Sequence, residues 1–455
     1  MKPIKRIISL LLCAAAVLTL SSCFSEKSIS ELKDAAQSAV ESLYMPKIEA
    51  PSLIKPDNNT DVGEFSSIKE INADSKNYTK LDITAGFDSL VNDAQRSLYK
   101  RMATDVYVVG SNKSDSGLYS VEKIYINGQV AEKDIRVAMS AFKNDYPEVF
   151  WLSNRFSYIA ADYTEIQLYS VIPPEEIKEK SEELIAAITF FIGKIPAQLS
   201  EFERELKIHD LLVNSCVYND KVESTSEDWE PFSIYGALVR GSAVCEGYSK
   251  AMQYLLSVFG IECNTVCGSG NGNLHQWNTV KIDGEWYHLD ATWNDTTDNR
   301  IFYDYFNVSD EVILYDHSIA ELYTEMSSQE ICGSNDDGSD ARLFNVFVPE
   351  CNSSDANFYT KNSVLFDGIN DECTARIEEQ LIACAESGRD TIYLMTDSSI
   401  DYNQAINTLF YEQPYQFFKY IEDVNYRLGN LINDEDVSFL KRERHSIIEV
   451  CIKLI

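Results

Sequence analysis

The sequence is poor in positive charge: 39 Lys and Arg stand against 72 Asp and Glu in 455 residues, a formal net charge of −33. A field of that sign repels polyphosphate wherever salt does not screen it. This argues against a nucleic-acid partner and favours cationic partners only weakly. Beyond the N-terminus no stretch reaches ~18 apolar residues, so no membrane-spanning helix is expected. No Cys-x-x-Cys pair occurs, which withdraws support from a structural zinc site, and no repeat of fixed period is visible. The acidic run GSNDDG departs from the calcium-loop template at its first and twelfth positions, Gly333 and Phe344, and reads as a linker. The glycine-rich GSGNGN at 268–273 follows one strand-like run and precedes another. It is therefore no phosphate cradle and reads as a mobile flap beside His275. No cofactor or metal ion is implied.

What is present begins with an export address. Lys2, Lys5 and Arg6 precede an apolar run from Ile7 to Leu20, too short for a ~30 Å hydrocarbon core but suited to a secretory signal. The run ends in Leu20-Ser21-Ser22-Cys23, which resembles the bacterial lipobox, whose last residue is acylated (palmitate is a typical chain) and becomes the new N-terminus. The reading is a lipoprotein signal peptide at 1–22, lipid attachment at Cys23, and an extracytoplasmic protein anchored to the cell membrane. Of eleven cysteines, Cys13 falls in the signal and Cys23 at the anchor. If Cys245 stays a thiol, the other eight could pair in an oxidising compartment. Cys263 and Cys267 share a strand-like run that puts their Cα atoms ~13 Å apart, beyond the ~7 Å reach of a bridge. Cys373 and Cys384 share one face of a predicted helix with Ile377 and Leu381 and read as buried apolar thiols.

With 45% hydrophobic residues and ~100–200 residues per domain, the chain supports about two to four domains. Residues 23–81, broken by Pro46, Pro51 and Pro56, read as anchor and tether with one short amphipathic helix (Ile29, Leu32, Ala36, Val40, Leu43). Residues 82–199 read as an α+β domain. It mixes helical periodicity (Leu90, Ala94, Leu98; Ile135 to Phe142) with the strand-like GLYSVEKIYING and IQLYSVI, and a helix opened by PPEE spans 174–195. Residues 200–324 read as helix, loop, helix (Cys245 to Phe259), strand (261–267), glycine loop and hairpin. Residues 325–455 read as a polar linker and a small α/β domain, with a strand near 343–348, a helix over 371–387 closed by Gly388, a strand at 391–395, and a last strand in SIIEVCIKL.

The chemistry concentrates between about 235 and 293. Cys245 heads its helix in Gly241-Ser242-Ala243-Val244-Cys245-Glu246-Gly247-Tyr248. Unsatisfied N–H groups at a helix N-terminus favour a thiolate there and can hold a developing oxyanion. Asp283-Gly284 is a two-residue turn signal between LHQWNTVKI and EWYHLDATW. If that turn closes a hairpin, Ile282 pairs with Glu285, Trp277 faces Asp290, and His275 faces Thr292. His275 and Asp290 are then diagonal neighbours on one face, ~7–8 Å apart at Cβ. A one-residue change in the turn would send them to opposite faces. A base beside its orienting acid, with the second ring nitrogen left for a thiol, is the arrangement of nucleophilic catalysis.

At these residues a family resemblance enters. YGALVRGSAVCEGYSKAMQYLL and LHQWNTVKIDGEWYHLDATW resemble the transglutaminase-like superfamily, in a bacterial lipoprotein branch related to cytokinesis-type transglutaminase and protease-like proteins. The family's nucleophile motif falls on Val244-Cys245-Glu246-Gly247-Tyr248, its base on His275 with Trp277-Asn278, and its acid on Asp290 with Thr292-Trp293. The close match covers about 60 residues and fades after about 320; Gln276 stands where relatives often carry a small residue. The resemblance implies an α+β, papain-like core in which the Cys245 helix packs on an antiparallel sheet. It also implies acyl transfer through a thioester to an amine or to water.

The remaining conspicuous residues have plainer readings. His288 and His209 read as structural, and Trp277, Trp286 and Trp293 as packing. Trp229 and Tyr235 are weaker candidates for a donor to the oxyanion. Two functions follow from the sequence. One is a cell-surface lipoprotein with a Cys245–His275–Asp290 site acting on protein or peptide amides of the cell envelope; the other is a surface binding or scaffold module that keeps such a site without turnover.

Overall fold

In the computed structural model, residues 83–222, 228–296, 300–332 and 343–455 are described. The signal peptide, Cys23, the tether and its amphipathic helix, and the GSNDDG linker lie outside them. Of the described residues, those up to Ile301 together with those in 316–350 form one compact unit, and Phe302–Tyr315 together with Cys351–Ile455 form a second. This grouping differs from the three folded segments expected, 82–199, 200–324 and 325–455, because backbone pairing crosses the expected boundary. Residues 317–319 pair with the strand that begins at Cys263, and Asn345 accepts from the Cys267 amide at 2.8 Å. Asp310 donates its amide to the Cys351 carbonyl at 2.7 Å.

In the first unit, helix Asp93–Asp105 precedes an antiparallel sheet, and helix Glu132–Asp145 connects its third and fourth strands. Its strands are β1 (Val109–Lys113), β2 (Tyr119–Val121), β3 (Ile124–Asn127), β4 (Leu152–Ala160) and β5 (Tyr163–Ser170), ordered β1-β2-β5-β3 with β4 also on β5. Helix Pro174–Ile192 follows, opened by a Pro as its sequence signalled. Helix Glu201–Ser215 begins with a capping box in which Ser200 and Glu203 each satisfy the other's amide. Two short parallel strands, β6 (Val217–Tyr218) and β7 (Ser242–Ala243), bracket the approach to helix Cys245–Val258. Among the described residues no helix is long and apolar enough to cross a membrane.

The sheet that carries the site has the order β10-β9-β8-β11. Its strands are β8 (Cys263–Gly270), β9 (Asn273–Ile282), β10 (Glu285–Leu289) and β11 (His317–Ile319). Helix Cys245–Val258 packs on β8 and β9 through Tyr248, Ala251, Met252, Leu255 and Leu256, all buried. This is the α+β arrangement implied by the resemblance: the Cys245 helix lies on an antiparallel sheet. The β9–β10 turn uses Asp283 and Gly284 with positive φ of 51° and 91°, as a two-residue hairpin requires. The resulting register runs from Ile282↔Glu285 to Asn278↔Leu289, as the turn chemistry predicts.

The glycine-rich stretch is not a flap. β8 continues to Gly270, and a second tight turn at Asn271 and Gly272, φ 48° and 81°, leads directly into β9, with Gly268 paired to His275. The glycines serve close packing instead. A Cβ on Gly268 would lie 1.9 Å from the Ser318 carbonyl oxygen of β11, and one on Gly270 would lie 2.6 Å from the Trp293 ring.

In the second unit, β12 (Ser363–Phe366), β13 (Thr391–Thr396), β14 (Ile432–Arg442) and β15 (Ile447–Leu454) form a sheet ordered β12-β13-β15-β14, with only β12 and β13 parallel. Helix Asp371–Ser387 ends at Gly388, φ 70°, and buries Cys373, Ile377, Leu381 and Cys384 on one face. That face joins Phe366, Ile392, Leu394, Ile448 and Val450 in a single core. The strand expected near 343–348 does not form; Asn345 alone bridges to Leu322, and its side-chain amide is spent on the Cys267 and Ala320 carbonyls.

Replacing Gly268 by Ala sets a side chain against backbone that cannot rotate away. The expected loss is ~1–3 kcal/mol, read as a lower urea midpoint with an unchanged slope; a midpoint equal to wild type would refute the close approach of β11.

Candidate active site

The position of Cys245 follows from local backbone constraints. Gly241 in the left-handed region, φ 63°, turns the chain from the helical segment Gly236–Arg240 into β7. There Ser242 and Ala243 pair with Val217 and Tyr218. The Val244 amide donates to the Pro231 carbonyl at 3.0 Å and Val244 itself is extended, so Cys245 becomes the first helical residue. Gly247 permits the tight fit: a Cβ there would lie 2.6 Å from the Pro231 oxygen and 2.7 Å from the Ala243 Cβ. First-turn amides of a helix have no acceptor within it and carry the positive end of its dipole. They lie next to the sulfur, where an oxyanion would form.

His275 sits on β9, opposite Gly268 of β8. Its Nε2 lies 2.7 Å from Asp290 Oδ2, and both side chains are buried. The contact arises differently from the expected diagonal pair. The β9–β10 ladder ends at Leu289, and Asp290 caps the short helical turn Ala291–Asn294, its Oδ1 accepting from the amides of Thr292 at 3.0 Å and Trp293 at 3.2 Å. Burial opposes a charge on His275, but the Asp290 carboxylate outweighs it and lifts the ring to about 10, with a hydrogen bond from Cys245 acting in the same direction. With Nε2 taken by Asp290, Nδ1 is left to face the sulfur. Burial likewise opposes charge on Asp290, yet His275, and then His317, hold its carboxyl far below the usual range.

His317 has no counterpart among the residues singled out from the sequence. It lies on β11 opposite Gly270, with Nε2 3.2 Å from Asp290 Oδ2 and Nδ1 2.7 Å from Asp316 Oδ1. Its ring packs at a tilt against Trp293, with centroids 4.3 Å apart, and His275 at 5.4 Å, and edge-to-face against Trp277 at 5.0 Å. Tyr218 was also missed. Burial, then the charges of Cys245 and Asp290, push its half-exposed hydroxyl up. It lies on β6, which pairs with β7 shortly before Cys245, and two-residue strands leave no periodic signal.

His209 and His288 are both engaged in the surrounding fold. His209 is buried, with Nδ1 3.1 Å from Asp210 and Nε2 3.1 Å from the Asn294 amide, which anchors the turn that follows Asp290. His288 accepts from Trp277 Nε1 at 3.0 Å. Gln276 and Asn278 fasten the hairpin to the Cys245 helix, donating to the Ser249 hydroxyl at 2.8 Å and carbonyl at 2.9 Å. The two oxyanion candidates, Tyr235 and Trp229, have partners elsewhere. Tyr235 is buried and gives its hydroxyl to Glu183; Trp229 stacks on Phe150 with centroids 5.4 Å apart, under the Lys180 ammonium. They form an aromatic packing cluster, because Phe150 at the end of the preceding helix–strand segment fills the space beside them. No disulfide joins the nine cysteines among the described residues.

His275, Asp290 and His317 offer three ligand atoms within 4.8 Å of one another. The 2.7 Å separation of His275 and Asp290 is that of a shared proton, shorter than the ~3.3 Å between donors of a tetrahedral ion with ~2.1 Å bonds. The arrangement suits proton chemistry better than a metal.

Linkage makes the pair testable. A ring held at about 10 instead of 6.5 contributes stability that is complete below pH 6.5 and lost as pH rises through 10. Asp290→Asn should therefore cost about 3 kcal/mol near pH 6, and its gap to wild type should narrow steadily toward pH 10. A gap in denaturation free energy that stays constant across that range would contradict the ion pair.

Comparison with known proteins agrees with this geometry. Residues 193–291 match the transglutaminase-like superfamily. Two solved structures show slight likeness. A TGase is 13% identical over 45% of this chain and 59% of its own, with TM-score 0.24. A candidate cysteine protease from Cytophaga hutchinsonii is 11% identical over 30% of this chain and 61% of its own, with TM-score 0.21. The chain thus spans less than two thirds of each. No curated protein matches the sequence. The stretch that matches the transglutaminase-like superfamily, 193–291, contains Cys245, His275 and Asp290.

Proposed function

We propose that the chain is an exported, lipid-anchored thiol enzyme that cleaves or transfers protein or peptide acyl groups at the cell envelope. The observation that carries this reading is one imidazole engaged on both sides, by Asp290 at 2.7 Å and by the Cys245 thiol, with that thiol at a helix start. In the reaction, the sulfur attacks an amide carbonyl while its proton rests on His275. Charge on the tetrahedral oxygen is met by the first-turn amides of the helix. His275 then gives its proton to the departing amine, leaving a thioester. Water or a second amine, deprotonated by His275, attacks the thioester and restores the thiol. Asp290 fixes the ring so that Nδ1 points at sulfur throughout. Transglutaminase-like proteins are often acyltransferases or proteases of this type, which supports the same reaction class.

Labelling gives a direct test, because other thiols are suppressed. Burial pushes Cys216 and Cys267 up to about 12 and raises Cys263 and Cys351 as well. At pH 6.5, iodoacetamide should modify Cys245 first, Cys245→Ala should remove that label with the fold intact, and His275→Ala should slow it ~10-fold or more. Labelling that begins only above pH 8.5 in the wild type would leave the scaffold reading in its place. Mass changes in envelope peptides then report the reaction, a loss for hydrolysis or a gain for amine incorporation. For the anchor, Cys23→Ala should move the protein from the membrane fraction to the soluble one; unchanged fractionation would count against lipidation at that residue.

A further inference from the structure

We propose that His317 and Asp316 extend the catalytic line as a second imidazole–carboxylate pair, with His317 a positioning residue that divides the Asp290 charge and so sets how firmly His275 keeps its proton. The inference rests on the thiol-enzyme reading and deepens it.

The geometry begins at Asp290, which has no solvent to lean on. Its Oδ1 is filled by two amides, so Oδ2 alone meets both imidazoles, His275 at 2.7 Å and His317 at 3.2 Å. His317 in turn faces carboxylates at both nitrogens, Asp290 through Nε2 and Asp316 through Nδ1 at 2.7 Å. Both ring nitrogens are thus engaged by acids, which fixes the ring between them. A carboxylate oxygen that already accepts from one donor attracts the next less strongly. Asp290 therefore orients His275 without holding its proton so tightly that the ring cannot pass it to a leaving group.

The surroundings strengthen the effect. Trp293 and Trp277 cover the His317 ring and lower the local dielectric, where hydrogen-bonded networks act with greater force. The charged or titratable groups around it are Asp290, Asp316 and His275, with Cys245 and Tyr218 acting on the far side of Asp290. β11 is held against β8 only because Gly268 and Gly270 carry no side chain, so the hairpin glycines bring the second imidazole to the first.

The test compares His317→Ala, His317→Gln and Asp316→Asn in the full-length chain. The readouts are the ring titration of His275 by NMR and the pH profile of Cys245 alkylation. Gln keeps an N–H toward Asp290 but no charge. We expect the His275 midpoint to rise by roughly half a pH unit or more in both His317 variants, and by less in Asp316→Asn. We expect alkylation near pH 7 to fall about tenfold in His317→Ala and to recover within about threefold in His317→Gln. A His275 midpoint and an alkylation profile unchanged in His317→Gln and Asp316→Asn overturn the proposal, even if His317→Ala unfolds. A wild-type thiol that is inert at neutral pH defeats the enzyme reading instead, while the His275 shift still reports the coupling.

Discussion

A carboxylate sealed away from water needs a donor for each of its lone-pair directions, and the Asp290 side chain obtains them from three separate parts of the chain. Two come from the amides of the turn it caps, one from β9 and one from β11. The desolvation of a buried charge amounts to several kcal/mol, so the hairpin, the turn after it and the third strand have to arrive together. Their assembly around one oxygen pair explains why the neighbouring elements are so constrained. The turn is pinned by His209 through Asn294, the hairpin is tied to the Cys245 helix through Ser249, and the glycines of β8 admit β11 and Trp293.

This dependence also explains what could be read in advance. The Asp283-Gly284 turn fixes parity, and parity is a local property, so the register from Ile282↔Glu285 to Asn278↔Leu289 follows from residues close together in the chain. The meeting of His275 and Asp290 was legible for a partly different reason, since Asp290 leaves the strand and becomes a cap. His317 was not legible. β11 has three residues and joins a partner nearly fifty positions earlier, and so short a segment has no periodicity to reveal which way its side chains face. The glycine-rich stretch misled for a related reason: Asn-Gly is itself a hairpin signal, but the adjoining Gly268 and Gly270 suggested looseness where they provide room for a neighbouring strand. In the second unit, helix Asp371–Ser387 was legible from its apolar face and its closing Gly388, whereas β12 owes its parallel pairing to β13, beyond that helix in the chain.

Thiol chemistry is confined by the same burial that builds the core. Cys263 fills the interior of unit one, and Cys373 and Cys384 that of unit two, as small apolar side chains whose ionisation burial suppresses. Cys245 differs by its place at a helix start and by an imidazole at hand. Selectivity among nine thiols then needs no special protection of the others.

A core selected for stability alone would not contain this network. Two imidazoles and two carboxylates in near-complete burial cost more desolvation than a set of apolar side chains of equal volume, which commonly serve as well or better. The Trp277 and Trp293 rings that enclose them show that apolar packing was structurally accessible at this point in the sheet. What an apolar set cannot do is keep a proton available between a sulfur and a carboxylate. Under the proposed function, the stability forgone at the centre of β8–β11 serves proton transfer, and its linkage to pH separates that role from structural cohesion.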